Sequence, residues 1–458
     1  MISKEKKSFW QKRRRGNISP TQIIAIAFAC IIVLGTLLLM LPLSARDGVS
    51  CGFRPALFTA TSATCVTGLV LYDTWTQWSA FGQVVIICLI EIGGLGFMSA
   101  ASVFVFLFRR KVGLKQRMIL AQTLSVDEMS DVVKLQKWVL LGSLSIQAMG
   151  ALVLTLRFLP HYGFQRSVTW GVFHAISAFC NAGFDIFGSV APGASLITFN
   201  HDPVICITLM ALVILGGLGF FVWEEMARVR RFRKFSVYTK LVLITSAVLT
   251  VGGAALVLLL EWNNPETFGP MGWGQKILNS FFQSVTLRTA GFVSVDQAAL
   301  TDGTKAVSML LMLVGGSSGS TAGGLKTVTF LVLILFLIAR ARGKSTVHVF
   351  RRTISQDKVL DAMTIAGIML ALAFAGAVFI CATSPASFVD ALYEAVSALA
   401  TVGLTAGLTP SLSIPAQYLI IVFMYFGRVG ILTISLGFLM GDRAQERFTY
   451  ANTNLLIG

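Results

Sequence analysis

The sequence predicts an all-α polytopic membrane protein built from four copies of one unit: a long helix, a short segment and a second helix. Three observations carry this. Apolar runs reach bilayer length, basic residues are confined to alternate connections, and a self-similarity recurs every 108 to 115 residues.

Of the 458 residues, 55% are hydrophobic and 13% charged, against roughly 25% charged in soluble globular chains. The mean hydropathy is +0.77, and apolar runs near or beyond the roughly 18 to 20 residues that cross a bilayer recur along the chain. The net charge of +16 comes largely from "KEKKSFWQKRRR", "RRKVGLKQR" from Arg109, "RVRRFRKF" from Arg228 and "RARGKSTVHVFRR" from Arg340. The connections near 44–56, 160–172, 262–276 and 384–391 are poorer in Lys and Arg. That alternation is the positive-inside pattern and places both termini on the cytoplasmic side of the cell membrane. It points to anionic lipid, not nucleic acid, as the counterpart of the charge. The first apolar run, Thr21 to Pro42, is longer than the roughly 7 to 15 residues of a signal-peptide core and reads as a retained helix. Seven cysteines without a C-x-x-C read as small buried hydrophobes, not a disulfide frame or a zinc site.

Four segments align without gaps: "FTATSATCVTGL" from Phe58, "FHAISAFCNAGF" from Phe173, "FFQSVTLRTAGF" from Phe281 and "YEAVSALATVGL" from Tyr393. Each opens on an aromatic residue and reaches a glycine ten positions later: Gly68, Gly183, Gly291 and Gly403. Upstream of each lies an apolar helix, expected at 20–43, 135–159, 238–260 and 361–383. Downstream lies a second, expected at 79–108, 203–227, 305–340 and 415–440. The second helices share glycine clusters at Gly93, Gly216, Gly315 and Gly427. The chain divides into a basic N-terminus (1–19), unit one (20–108), unit two with its preceding cytoplasmic loop (109–227), unit three (228–340), and unit four with the C-terminus (341–458).

The short segments, "LFTATSAT" among them, cannot span roughly 30 Å as a helix rising about 1.5 Å per residue. With basic clusters on one side only, each segment enters and leaves the membrane on the same face. Non-helical backbone at that depth must be buried in protein or line water. Four such re-entrant loops around one axis make a single pore with four-fold pseudosymmetry. Glycine leaves no side chain in the path and accepts φ > 0. Inward-turned carbonyls replace an ion's hydration shell, and the short helices aim partially negative C-termini at the axis, which favours a cation. Asp73, Asp185 and Asp296 follow three of the loops, either as negative charge at the outer mouth or as ordinary solvated loop residues.

On these motifs the chain resembles the Trk/Ktr/HKT superfamily of potassium transporters, over essentially its whole length. A first helix starting by residue 21, an end soon after the last inner helix, and the closing "NTNLLIG" make it most similar to the bacterial Ktr-type membrane (B) subunit. The resemblance implies a selectivity filter of Val66-Thr67-Gly68, Asn181-Ala182-Gly183, Thr289-Ala290-Gly291 and Thr401-Val402-Gly403. One glycine per loop, against the longer TVGYG motif of potassium channels, implies a less stringent filter. It further implies potassium uptake by a non-enzyme, with K+ as substrate, Na+ as a second cation as in sodium-dependent symporters of the family, and no organic cofactor. The implied assembly is a homodimer, one pore per protomer, on a cytoplasmic nucleotide-binding ring of RCK-type regulatory subunits. Because no G-x-G-x-x-G follows a strand here, nucleotide sensing falls to that partner.

One second helix is interrupted by "LVGGSSGSTAGGLKT", residues 313–327. Polar backbone at that depth reads as a movable gate below the filter, made of Gly315, Gly316, Ser317, Ser318, Gly319, Ser320, Thr321, Ala322, Gly323 and Gly324, with Lys326 and Arg428. The other three clusters stay apolar apart from Arg428, so a single broken helix is expected. Ionisable residues at membrane depth mark function by default. The family has an arginine at the place of Arg428, which looks like a barrier engaged by carbonyls or serines of the broken loop; the bland reading ties it to helix-end carbonyls. Lys326 is a second barrier or snorkels inward. Glu91 is expected to pair with one of these cations, and Glu394 to satisfy local backbone or hydroxyl groups. His161, His201 and His348 fall in connections; His174, in the second short helix, reads as structural.

Two other functions compete. "GSSG" from Gly316 matches the G-x-S-G of intramembrane serine proteases, with Ser318 as nucleophile and His174 as the one histidine near membrane depth. A secondary ion-coupled carrier would hold its substrate at the midplane in the broken helix, but such folds usually have inverted or paired repeats, whereas the four units here share one orientation.

Overall fold

The computed structural model describes residues 20–96 and 132–430. The N-terminal basic run, the cluster from Arg109 and the C-terminal "NTNLLIG" lie outside the described residues. Unit one contains α1 (Pro20–Leu39), α2 (Phe53–Thr64) and α3 (Ala80–Leu95). Unit two contains α4 (Val132–Tyr162), α5 (Phe164–Phe179), α6 (Pro203–Leu218) and α7 (Phe220–Val229). Unit three contains α8 (Val237–Glu261), α9 (Trp273–Thr286), α10 (Asp302–Leu313) and α11 (Thr327–Ala341). A small hairpin, β1 (Val347–Val349) with β2 (Arg352–Ile354), precedes α12 (Gln356–Thr383), α13 (Phe388–Leu399) and α14 (Ile414–Val429).

The first helices, α1, α4, α8 and α12, are long and apolar enough to cross a membrane. They display large apolar side chains outward, such as Leu34, Leu156, Leu259 and Phe374, as expected of lipid-facing surfaces. In lipid this gives no hydrophobic drive to pack, so close approach of small residues and hydrogen bonds hold the helices together. The ends of the short helices follow that rule: Ala60, Thr61, Ser62, Ala63, Ala178, Ser397 and Ala398 are fully buried.

Each second helix starts at a side-chain cap: Ser79 accepts from the Gly82 amide, Asp202 from Val204, Thr301 from Thr304 and Ser413 from Ala416. These acceptors satisfy amides that a helix start leaves without intrahelical partners. The expectation of a single broken helix is corrected by the second unit, where α6 breaks at Gly219 before α7. α3, α6 and α14 also stop inside their glycine clusters, at Gly96, Gly219 and Gly430, with φ of 86°, 90° and 93°. After Gly219 the chain turns by 94° into α7. The third unit differs in the length of its interruption, which runs from Val314 to Lys326.

Each short helix packs on its own first helix, and each second helix also meets the short helix of the next unit: α3 with α5, α6 with α9, α10 with α13, and α14 with α2. The last of these closes the sequence of contacts into a ring. Lys305 on α10 and Asp390 on α13 form an ion pair at 2.8 Å across one junction. Partial burial alone would raise the Asp390 carboxyl, but hydrogen bonds from Lys305 and Ser387 and the lysine charge outweigh it and hold the pKa below its ordinary value. A depressed carboxyl contributes stability above the unfolded value near 3.9 and loses it as the pH falls through its lowered native value. Acidification from pH 7 to below 4 is therefore expected to lower the unfolding temperature of the wild type more than that of Asp390→Asn, read by tryptophan fluorescence in detergent. Equal losses would remove the pair from the acid response.

The two described basic clusters come together: Lys240 donates to Arg233 O at 2.8 Å and lies 5.9 Å from the Phe350 ring at the hairpin tip.

Candidate functional site

The four short helices end at residues 64, 179, 286 and 399 and release the chain into four loops of one backbone pattern. Val66, Asn181, Thr289 and Thr401 all have positive φ, 56°, 60°, 66° and 54°. The glycine two residues later is positive as well: 99° at Gly68, 69° at Gly183, 80° at Gly291 and 91° at Gly403. A β-branched residue in the left-handed region costs about 1–3 kcal/mol and persists only where its surroundings impose it. Here local hydrogen bonds do so. Thr67, Ala182 and Val402 amides donate to the Ser62, Ser177 and Ser397 carbonyls, each at 2.8 Å. The Ser62 and Ser397 hydroxyls accept from the Gly68 and Gly403 amides at 3.1 and 3.2 Å. In the third loop, Thr286 donates to Phe292 O at 2.8 Å.

The loops meet tip to tip in chain order. A Cβ built on Gly68 would lie 2.5 Å from Ala182 O, on Gly183 2.7 Å from Ala290 O, and on Gly291 2.7 Å from Val402 O. On Gly403 it would collide with Thr67 O. All twelve residues expected from the sequence are thus brought together: Val66, Thr67, Gly68, Asn181, Ala182, Gly183, Thr289, Ala290, Gly291, Thr401, Val402 and Gly403, all of them buried. The hydroxyls of Thr64, Thr67, Thr289 and Thr401 and the Asn181 amide nitrogen have no protein partner. Buried polar atoms of this kind normally find one, so the ring is chemically suited to water or a cation. Among the described residues no cluster of His, Cys, Asp and Glu could hold a metal ion; the available oxygens are carbonyls and hydroxyls.

The long interruption lies against this ring. Its neck is tied by Gly315 N to Leu325 O at 2.9 Å, Leu325 N to Leu313 O at 3.0 Å and Thr327 N to Gly316 O at 3.0 Å. Its tip, Ser317 to Gly323, fills the break between α6 and α7. Ser317 N donates to Gly217 O at 3.0 Å, Thr321 N to Gly216 O at 3.2 Å, and Phe220 N to Gly319 O at 2.9 Å. Thr321 Oγ1 reaches Phe179 O at 3.1 Å and Asn181 Oδ1 at 3.2 Å, while Gly323 abuts the Thr401 hydroxyl. Arg428 donates to Thr321 O on the tip and to Gly93 O and Gly94 O on α3, tying three elements through one guanidinium. Lys326 donates to Ala322 O at 2.8 Å.

Glu91 pairs with neither cation. It accepts from Gln147 Nε2 at 3.0 and 3.2 Å and from Cys180 Sγ at 3.2 Å, a correction that sequence could not supply because Gln147 and Cys180 arrive from α4 and the end of α5. Glu394 accepts from the Thr409 hydroxyl. Asp73 accepts from Thr76 and Gly193 amides, Asp185 from Phe187 N and Asp296 from Ala298 N, so all three organise the loops that follow the ring. His174 has Nδ1 at 2.7 Å from Trp170 O and Nε2 accepting from Ile186 N at 3.2 Å. Both ring nitrogens are engaged, which leaves the protease reading without a base. Sequence reasoning passed over Arg288, although a basic residue at membrane depth is itself a signal.

The chain matches the family model described as "TrkH: Cation transport protein" over residues 3–446. It is 39% identical over 453 residues to the potassium/sodium uptake protein NtpJ of Enterococcus hirae, covering 98% of this chain and 99% of that protein. It is 40% identical over 430 residues to the Ktr system potassium uptake protein B of Bacillus subtilis, covering 94% and 95%. The crystal structure of the potassium transporter TrkH from Vibrio parahaemolyticus superposes with a TM-score of 0.72 at 18% identity, covering 92% of this chain and 86% of that one, a likeness of fold.

Proposed function

The chain belongs to the TrkH family of cation transport proteins, integral membrane transporters and not enzymes, and on that footing we propose that it takes up potassium through one pore formed by its four loops. One observation carries this reading: four loops of like backbone close a ring in which each glycine faces a carbonyl of the next loop. Four-fold pseudosymmetry and a carbonyl filter follow from it. A potassium ion in the ring exchanges hydration oxygens for carbonyls and threonine hydroxyls, while the short helices present their negative ends. The names of two relatives, a potassium/sodium uptake protein and a potassium uptake protein, support potassium as cargo and sodium as a second cation.

The residue 315–324 loop with Lys326 and Arg428 acts as the gate. Its tip contacts the ring at Asn181 and Thr401 and is latched by Arg428. A fixed cation beneath a cation filter is an electrostatic barrier. Arg428→Gln is therefore expected to raise rubidium influx about tenfold by removing barrier and latch together; influx at or below wild type in a normally assembled variant counts against the gate. Orientation with both termini in the cytoplasm, a homodimer in the cell membrane and a cytoplasmic nucleotide-binding ring belong to the same proposal. It is tested by rubidium and potassium flux into proteoliposomes, with and without sodium and with and without the candidate ring subunit. Absence of saturable potassium flux under every condition would overturn it.

A further inference from the structure

In units one, two and four the second helix presses a glycine onto the end of its own short helix. A Cβ at Gly93, Gly216 or Gly427 would collide with Thr64 O, Phe179 O or Leu399 O. In unit three Gly315 faces its own loop at Gly323 instead. Arg288 spans the separation. It stands one residue before the left-handed Thr289, the position held by Cys65, Cys180 and Ala400 in the other loops.

The guanidinium reaches three elements. Nη2 donates to Ser246 Oγ on α8 at 3.3 Å, to Gly315 O at 3.4 Å and to Thr327 Oγ1 at 3.5 Å; Nη1 donates to Ser246 O at 3.5 Å. Gly315 and Thr327 are the two sides of the loop's neck, joined also by Thr327 Oγ1 to Gly315 O at 3.2 Å. Among the described residues no carboxylate forms an ion pair with Arg288, and its Nε has no partner. It borders a cavity lined by Gly217, Ser246, Thr250, Val285 and Gly316. A cation at this depth without a counter-charge is costly, and a guanidinium spreads its donors over separate nitrogens in a fixed plane where an ammonium concentrates them on one.

We propose that Arg288 is a positioning residue, a strut that fixes the neck of the 313–327 loop to the third loop of the ring and to α8. The loop then moves at its tip while its neck stays fixed. This rests on the reading of the loop as a gate.

The test is hydrogen exchange on the full-length protein in proteoliposomes, paired with rubidium uptake. Arg288→Gln is expected to speed exchange at the Gly315, Leu325 and Thr327 amides about tenfold, with α4 and α12 unchanged, and to raise uptake severalfold. Arg288→Lys, with one compact donor group, is expected to restore part of the neck protection. Ser246→Ala removes one Arg288 acceptor on α8 without touching the neck bonds and, should Arg288→Gln fail to fold, is expected to loosen the same three amides to a smaller degree. Unchanged neck exchange in folded Arg288→Gln, or in Ser246→Ala where that variant replaces it, overturns the strut. A loosened neck with unchanged uptake supports the strut and overturns the loop as gate.

Discussion

Replacing Gly403 with alanine is expected to destroy discrimination between potassium and sodium, lowering the uptake ratio at least tenfold. Two costs add at this position. The residue holds φ at +91°, where a Cβ costs roughly 1–2 kcal/mol. The new methyl also collides with Thr67 O, and Gly68 Cα lies 2.9 Å away, so the obstacle is backbone that no rotamer change can clear. The strain passes directly into the neighbouring loop, and about 1.4 kcal/mol of altered relative ion binding is tenfold in selectivity. Gly183→Ser and Gly291→Ser meet the next loop in the same way and are expected to weaken the ratio too. Gly407→Ala is the control. It has φ of +83°, yet its nearest neighbour would be Ala298 Cβ at 3.8 Å, so it carries the backbone penalty without the collision and should keep selectivity. An unaltered rubidium-to-sodium ratio in well-folded Gly403→Ala would remove the ring from selection.

Deleting Ser317–Gly323 is expected to raise rubidium influx about tenfold or more and to reduce dependence on any regulatory subunit, because it removes the segment packed against Asn181 and Thr401. The deletion also takes away the Thr321 carbonyl that engages Arg428, so the proposed latch and plug disappear together. The neck bonds of Gly315, Leu325 and Thr327 lie outside the deleted stretch, which favours an assembled product. A correctly assembled but silent deletion would mean that the loop supports the pore and does not close it.

Much of the ring was legible from residue order. Gly68, Gly183, Gly291 and Gly403 stand at matched places in four aligned segments, and a glycine recurring at a loop tip is a local signal for positive φ or close backbone approach. Their partners were not legible, because each faces a loop more than a hundred residues away. The helix breaks were misread for a related reason. "GGLGF" is apolar enough to continue a helix by hydropathy, and only the packing of Gly93 and Gly216 against Thr64 O and Phe179 O explains where these clusters sit. Glu91 shows the limit for charges: opposite sign suggested Arg428 or Lys326, while the fold supplied Gln147 and Cys180.

The sequence by itself determined what depends on local chemistry and solvent: residence in a membrane, the four short helices, and a glycine at each loop tip. Hydropathy, basic clusters and turn residues act over a few neighbours and can be read in line. The tertiary structure decided which carbonyl each glycine faces, that the interrupted helix inserts its tip into the α6–α7 break, and that Arg428 and Arg288 grip opposite parts of that loop. Those choices depend on contacts between units, where a buried donor takes whichever oxygen the packed backbone presents.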